Sequence, residues 1–139
     1  MDASPERLRD ASRPGRLFPT AEEVLAADLG RLGVPASRRR TLVAVAGAVA
    51  EGRVVLEPGA DIAETTRRLV ELPGVGPWTA AYVALRALGD SDAFLVGDLA
   101  LARAAARAGL PSTWPALRAR AEAWRPWRGY ASLWLWSSS

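Results

Sequence analysis

From Phe18 onward the chain repeats one pattern: a hydroxyl or acidic start, apolar residues three and four apart, then Gly or Pro. That is helical spacing. Thr20 with Glu23, and Asp61 with Glu64, stand at the separation of capping boxes and predict two helix starts. The first helix is expected to run through Val24, Leu25 and Leu29 and to stop near Gly33-Val34-Pro35. The second is expected from near Ser37, with Arg38, Arg39 and Arg40 in its first turn, through Leu42, Val45 and Val49 to Gly52. Val54-Val55-Leu56 has the composition of a strand, but no partner lies nearby and Pro58-Gly59 follows at once, so it reads as a loop.

A third helix is predicted over residues 62–71 and ends at Leu72-Pro73-Gly74-Val75-Gly76. A fourth starts with Pro77, a residue suited to the first helical position, and runs to about residue 88. A fifth follows Asp98 and ends at Gly109, and a sixth spans about 115–124. After Pro126 a last helix carries Tyr130, Leu133, Trp134 and Trp136. The expected fold class is all-α, a helical bundle. No repeat of solenoid length is present. Residues 1–17, with Pro5, Pro14, Gly15 and alternating charges, read as a loosely held lead-in to a domain over 18–139, and the three terminal serines read as a frayed tail.

Composition narrows the chemistry. The 139 residues suffice for one core, and half of them are hydrophobic. There is no His, no Cys and no Lys, so all 18 basic side chains are arginines, set against 15 acids. A zinc-finger site, a cysteine-ligated cluster, a Ser-His-Asp triad, a thiol nucleophile and a lysine Schiff base are therefore excluded. Catalysis has to rest on carboxylates, hydroxyls, arginines, backbone dipoles and aromatic faces. The net charge of +3 is too modest to indicate a nucleic-acid partner by itself. Residues 1–16 hold acids beside arginines and no apolar run, so they do not read as a secretory signal. The longest smooth apolar run, residues 41–50, is too short for a bilayer, and the expectation is a cytoplasmic protein without membrane contact.

Three features carry candidate chemistry. In Leu72-Pro73-Gly74-Val75-Gly76 two glycines bracket an apolar residue, which permits a tight turn with Val75 as a plug between helices. Its amides, with the positive end of the helix starting at Pro77, would bind a phosphate oxygen; a plain helix connection is the alternative. Trp78 and Tyr82 lie four apart and share a helix face. Aromatics so spaced are often core, yet six tryptophans in one small helical domain, five of them in the last 26 residues, need partners for their indole N–H groups. A pocket walled by Trp78, Tyr82 and a residue such as Trp136 would stack on a flat ligand, and its electron-rich faces would prefer a cationic one. Asp98 closes the apolar approach Phe94-Leu95-Val96-Gly97 at the mouth of a helix. It is either a simple N-cap or a partly desolvated carboxylate suited to stabilising a cation. Asp90 and Asp92, in a polar turn, read as solvated loop residues.

These segments together resemble the helix-hairpin-helix DNA glycosylases, and among them the C-terminal part of the bacterial DNA-3-methyladenine glycosylase II type. The likeness runs from Phe18-Pro19-Thr20 to Trp136 and includes Trp124-Arg125-Pro126-Trp127-Arg128-Gly129-Tyr130. It implies that Asp98 is the catalytic carboxylate, that Gly74, Val75 and Gly76 grip the DNA backbone beside the lesion, and that Trp78, Tyr82 and Trp136 line the base pocket. Trp78 stands where bifunctional members carry a lysine, which implies base release without strand cleavage. Arg103 is either a phosphate contact or half of a helix-face ion pair. The implied partner is double-stranded DNA with alkylated bases, with no required cofactor, no metal ligand among the side chains, and a monovalent cation at the hairpin as an optional ligand. The family also has a substantial region ahead of the Phe-Pro-Thr helix, which residues 1–17 are too short to replace. The chain then reads as a natural truncation or as a piece of a split gene product, with a separate polypeptide or a second copy as one candidate cover for the missing helices. A non-catalytic helix-hairpin-helix DNA-binding module and a scaffold that needs a partner are the competing readings.

Overall fold

The computed structural model describes residues 17–138. The expected lead-in therefore lies outside the described residues, apart from Leu17, which is almost fully exposed. The elements are α1 (Ala21–Ala26), a 3-10 turn (Leu29–Leu32), α2 (Ala36–Ala50), α3 (Ile62–Val70), α4 (Pro77–Ala87), α5 (Leu99–Arg107), α6 (Trp114–Ala121), a 3-10 turn (Glu122–Trp124) and α7 (Arg128–Ser137). The described residues form no strand, and Val54-Val55-Leu56 is loop, as its surroundings predict.

Local chemistry explains where the helices begin. Glu23 N–H donates to Thr20 Oγ1 at 3.2 Å while Thr20 N–H donates to the Glu23 carboxylate at 2.8 Å, a complete capping box. The second box is only half made. Asp61 accepts from Glu64 N–H at 2.9 Å, but the Glu64 carboxylate is turned to Arg67 and Arg68 instead. The first helix is also shorter than expected. It stops at Ala26, because the Asp28 side chain accepts from Gly30 N–H at 3.0 Å and starts a separate 3-10 turn that ends at Gly33 in the left-handed region. At the far end the serines are not frayed where the structure describes them. Ser137 closes α7, and the hydroxyls of Ser137 and Ser138 both donate to the Trp134 carbonyl at 2.8 Å.

Two apolar clusters share α4. One joins Ala84 and Leu85 of α4 to Leu95, to Leu101, Ala104 and Ala105 of α5, to Leu117 of α6 and to Leu135 of α7. The other joins Ala80 of α4 to Ala48 of α2, Leu69 of α3, Val54 and Val75. Val54 enters this second cluster because its N–H, with that of Arg53, donates to the Ala48 carbonyl at the end of α2. The turn between α3 and α4 thus lies against one core, and the helix it feeds reaches into the other. No helix among the described residues is long and apolar enough to cross a membrane.

Candidate active site

The turn after α3 is built around Gly74. Its φ is +80°, in the left-handed region that side chains avoid, and a Cβ there would lie 2.0 Å from Thr41 Oγ1 on α2. Glycine is required twice over. Val75 is buried at 8% exposure against Leu69, Val54 and Ala80, and its N–H closes the turn on the Leu72 carbonyl at 3.1 Å. Gly76 is extended and caps α4, with Pro77 at the first helical position and no side chain bonded to the cap. The amides of Gly76, Trp78 and Thr79 donate to no described residue, so the turn presents free donors at a helix N-terminus. The carbonyls of Pro73, Gly74 and Val75 likewise accept from no described residue.

One turn further along α4, the chain brings three rings and one carboxylate together. Trp78 and Tyr82 are stacked, with centroids 5.2 Å apart and planes 7° from parallel. Trp136 of α7 leans on Tyr82 at 6.1 Å and 52°. Asp98, at the N-cap of α5, accepts from Leu101 N–H at 2.7 Å and from the Trp136 indole at 3.4 Å through Oδ1, and from the Trp78 indole at 2.9 Å through Oδ2. Asp98 is thus an N-cap of α5, as one of the two readings has it, and it is also the acceptor for two partly buried indoles. Three N–H donors from three helices fix the orientation of its carboxylate. The stacked pair leaves no slot between Trp78 and Tyr82 for a further ring, so a flat ligand would meet its outer face, where Trp78 is 38% exposed.

The three expected base-pocket residues, Trp78, Tyr82 and Trp136, and the expected catalytic Asp98 are thus in one place, with the Gly74-Val75-Gly76 turn at the head of the same helix. Arg103 lies exposed on α5 and forms no ion pair with any described residue, which leaves no support for the helix-face pair. Asp92 corrects the sequence reading. It is not a solvated loop residue: its carboxylate takes Arg128 Nε at 2.8 Å and Nη2 at 2.7 Å, and Arg125 Nη1 at 2.6 Å. Glu122 closes the group by pairing with both arginines. The hydrogen bonds from Arg128 hold the Asp92 carboxyl below the usual carboxylate range, and those from Arg125 do the same for Glu122. Nothing local signals this group, since Asp92 and Arg128 are 36 residues apart. Only the Glu122-to-Arg125 spacing was visible in the sequence.

An all-helical fold with a glycine hairpin, an aromatic helix face and a helix-capping carboxylate is the architecture of the helix-hairpin-helix DNA glycosylases, as the sequence resemblance implies. The individual matches agree. The probable bifunctional transcriptional activator/DNA repair enzyme AlkA of Mycobacterium tuberculosis is 45% identical over 121 residues, covering 87% of this chain and 24% of that protein. DNA-3-methyladenine glycosylase 2 of Escherichia coli is 37% identical over 123 residues, covering 86% of this chain and 42% of that protein. The chain thus spans less than half the length of these curated relatives. Among solved structures, a DNA-3-methyladenine glycosidase from Bacillus halodurans superposes with a TM-score of 0.73 at 28% identity, over 89% of this chain and 61% of that one. A fission-yeast 3-methyladenine DNA glycosylase in complex with abasic DNA gives 0.72 at 25% identity, over 94% and 68%. No protein-family model matches the chain.

Proposed function

We propose that this chain carries the base-releasing part of a monofunctional DNA glycosylase, which hydrolyses the N-glycosidic bond of alkylated, 3-methyladenine-type bases in DNA. The observation that carries this reading is the Asp98 carboxylate, fixed by Leu101 N–H and two indoles beside an aromatic wall. An alkylated base bears positive charge and leaves without being protonated, so the absence of His and Lys is no obstacle. As the bond from the sugar carbon to the base nitrogen breaks, its electron pair goes to the base and positive charge develops on the deoxyribose. A carboxylate already oriented stabilises that charge with little reorganisation. Water then adds to the sugar carbon and gives up its proton to bulk solvent, which leaves a neutral base and an abasic sugar.

The other residues act before the chemistry. Free amides at Gly76, Trp78 and Thr79 hold a backbone phosphate, and Arg103 contacts another. A monovalent cation held by backbone carbonyls of the hairpin would add positive charge near the phosphate. Extruding the base costs a few kcal/mol, which stacking on the Trp78 face partly offsets. With no lysine in the chain, no side-chain amine attacks the sugar, and the product is an intact strand with an abasic site.

Incubation with methylated duplex DNA tests this reading. It predicts free methylated base, with strand breaks only after added alkali. Strand cleavage by the protein itself, or release that never exceeds the uncatalysed rate even with the rest of a relative supplied as a separate polypeptide, contradicts it. The second reading is a DNA-binding module without catalysis, because the free amides of Gly76, Trp78 and Thr79 can hold a phosphate whatever Asp98 does. That module would keep a steep salt dependence of DNA affinity and release no base.

A further inference from the structure

Asp98 and Trp136 face each other across two segments that diverge widely in sequence, and the group around Asp92 is where those segments are joined. Asp92 opens the approach to Asp98, six residues before it; Arg128 is the first residue of α7, whose ninth is Trp136. The junction is closely made. Arg128 grips both oxygens of Asp92 through Nε and Nη2, and its side chain is 15% exposed. Gly129 N–H donates to the Ser91 carbonyl at 2.7 Å, and Ser91 Oγ donates to the Pro126 carbonyl at 2.9 Å. A Cβ on Gly129 would come within 2.8 Å of both Leu85 Cδ1 and the Ser91 carbonyl.

We infer that the Asp92–Arg128 pair is a positioning device for the pocket: it sets the tilt of α7 and thereby holds the Trp136 indole against Asp98. The lever is long. Arg128 and Trp136 are separated along α7 by about 12 Å, so a tilt of about 5° at the first turn moves the indole by about 1 Å. The bond from Trp136 to Asp98 is 3.4 Å, already longer than the usual range of about 2.7–3.2 Å, and that movement breaks it. Misplacement of a reacting constellation by about 1 Å can cost a factor of about 100 in rate. Apolar packing at Leu135 and the Gly129 contacts keep α7 docked without the ion pair, so its loss alters the angle and leaves the fold. Glu122 still neutralises Arg128 at 2.9 Å when Asp92 is changed.

The inference rests on Asp98 being the acting carboxylate, and two readouts separate the two ideas. In a 1H–15N spectrum the six tryptophans give separate indole signals, and Trp136→Phe identifies one of them. Asp92→Asn should shift the Trp136 signal and leave that of Trp114 in place. Base release should fall ten- to a hundredfold in kcat with KM little changed. Arg128→Lys keeps the charge but not the paired N–H groups, and should reproduce both effects. An unmoved Trp136 signal in folded Asp92→Asn and Arg128→Lys protein overturns the proposal, as does wild-type behaviour of Arg128→Lys. If the signal moves but the wild-type chain releases no base even with the rest of a relative supplied as a separate polypeptide, the positioning stands and the glycosylase reading fails.

Discussion

Replacing Gly74 by Ala should be the most costly single methyl addition in the hairpin, and its cost has two separable parts. The first is conformational: at φ +80° a Cβ meets its own backbone, a strain of about 1–3 kcal/mol. The second is steric. The new methyl would lie 2.0 Å from Thr41 Oγ1 and 3.2 Å from Thr41 Cβ, so α2 and the turn must separate, at about 1–3 kcal/mol. Together they give about 2–6 kcal/mol, a large share of the roughly 5–15 kcal/mol that holds a domain of this size together. Urea unfolding of Gly74→Ala, Thr41→Ala and the double variant measures each part. Thr41→Ala removes the hydroxyl and methyl that the new Cβ would strike, so the double variant should recover the steric part and keep the conformational one. Gly76 provides the control. Its φ is −94° and nothing lies within 4 Å of its virtual Cβ, so Gly76→Ala should change stability by less than about 1 kcal/mol. A Gly74→Ala penalty under about 1 kcal/mol, or no recovery on removing the Thr41 side chain, would refute the close contact between hairpin and α2.

Other consequences can be measured separately. Because Arg128 holds the Asp92 carboxyl below its ordinary 3.8, the pair stabilises the fold fully above that pH and loses its contribution as pH falls through the lowered value. The difference in Tm between wild type and Asp92→Asn should therefore close on acidification, and a constant difference down to about pH 2 would contradict the assignment. Arg103→Ala should leave Tm unchanged, because no described residue pairs with it, and should lower the slope of log affinity against log salt by about one phosphate contact. An unchanged slope would remove Arg103 from the DNA interface. Trp78→Phe keeps a ring on Tyr82 but removes the 2.9 Å donor to Asp98, so base release should fall about tenfold while DNA affinity holds; equal losses in both would mean that Trp78 serves binding alone.

What could be read in the sequence was what is local. Thr20, Asp61 and Asp98 announce their caps because the donor they meet is three residues away. The shortening of α1 was missed because Asp28 also bonds locally, two residues ahead, and its rival turn fits within the same apolar spacing. The pocket was half legible: Trp78 and Tyr82 share a helix face by arithmetic, whereas the approach of Trp136 from α7 rested on family resemblance. Contacts between distant segments left no trace. The seat of Gly74 on Thr41 and the grip of Arg128 on Asp92 each join residues more than 30 positions apart, and a sequence pattern shows a polar loop where the fold builds a joint.

The charge of Asp98, held in place by two indoles and a backbone amide, is what should drive base release. Single-turnover release from methylated duplex DNA by Asp98→Asn, alongside its DNA affinity, tests this most directly. Asn keeps the size and can still cap α5, so the rate should fall by at least about 100-fold with affinity within about twofold of wild type. Release of methylated base by the Asp98→Asn variant at the wild-type rate would contradict it.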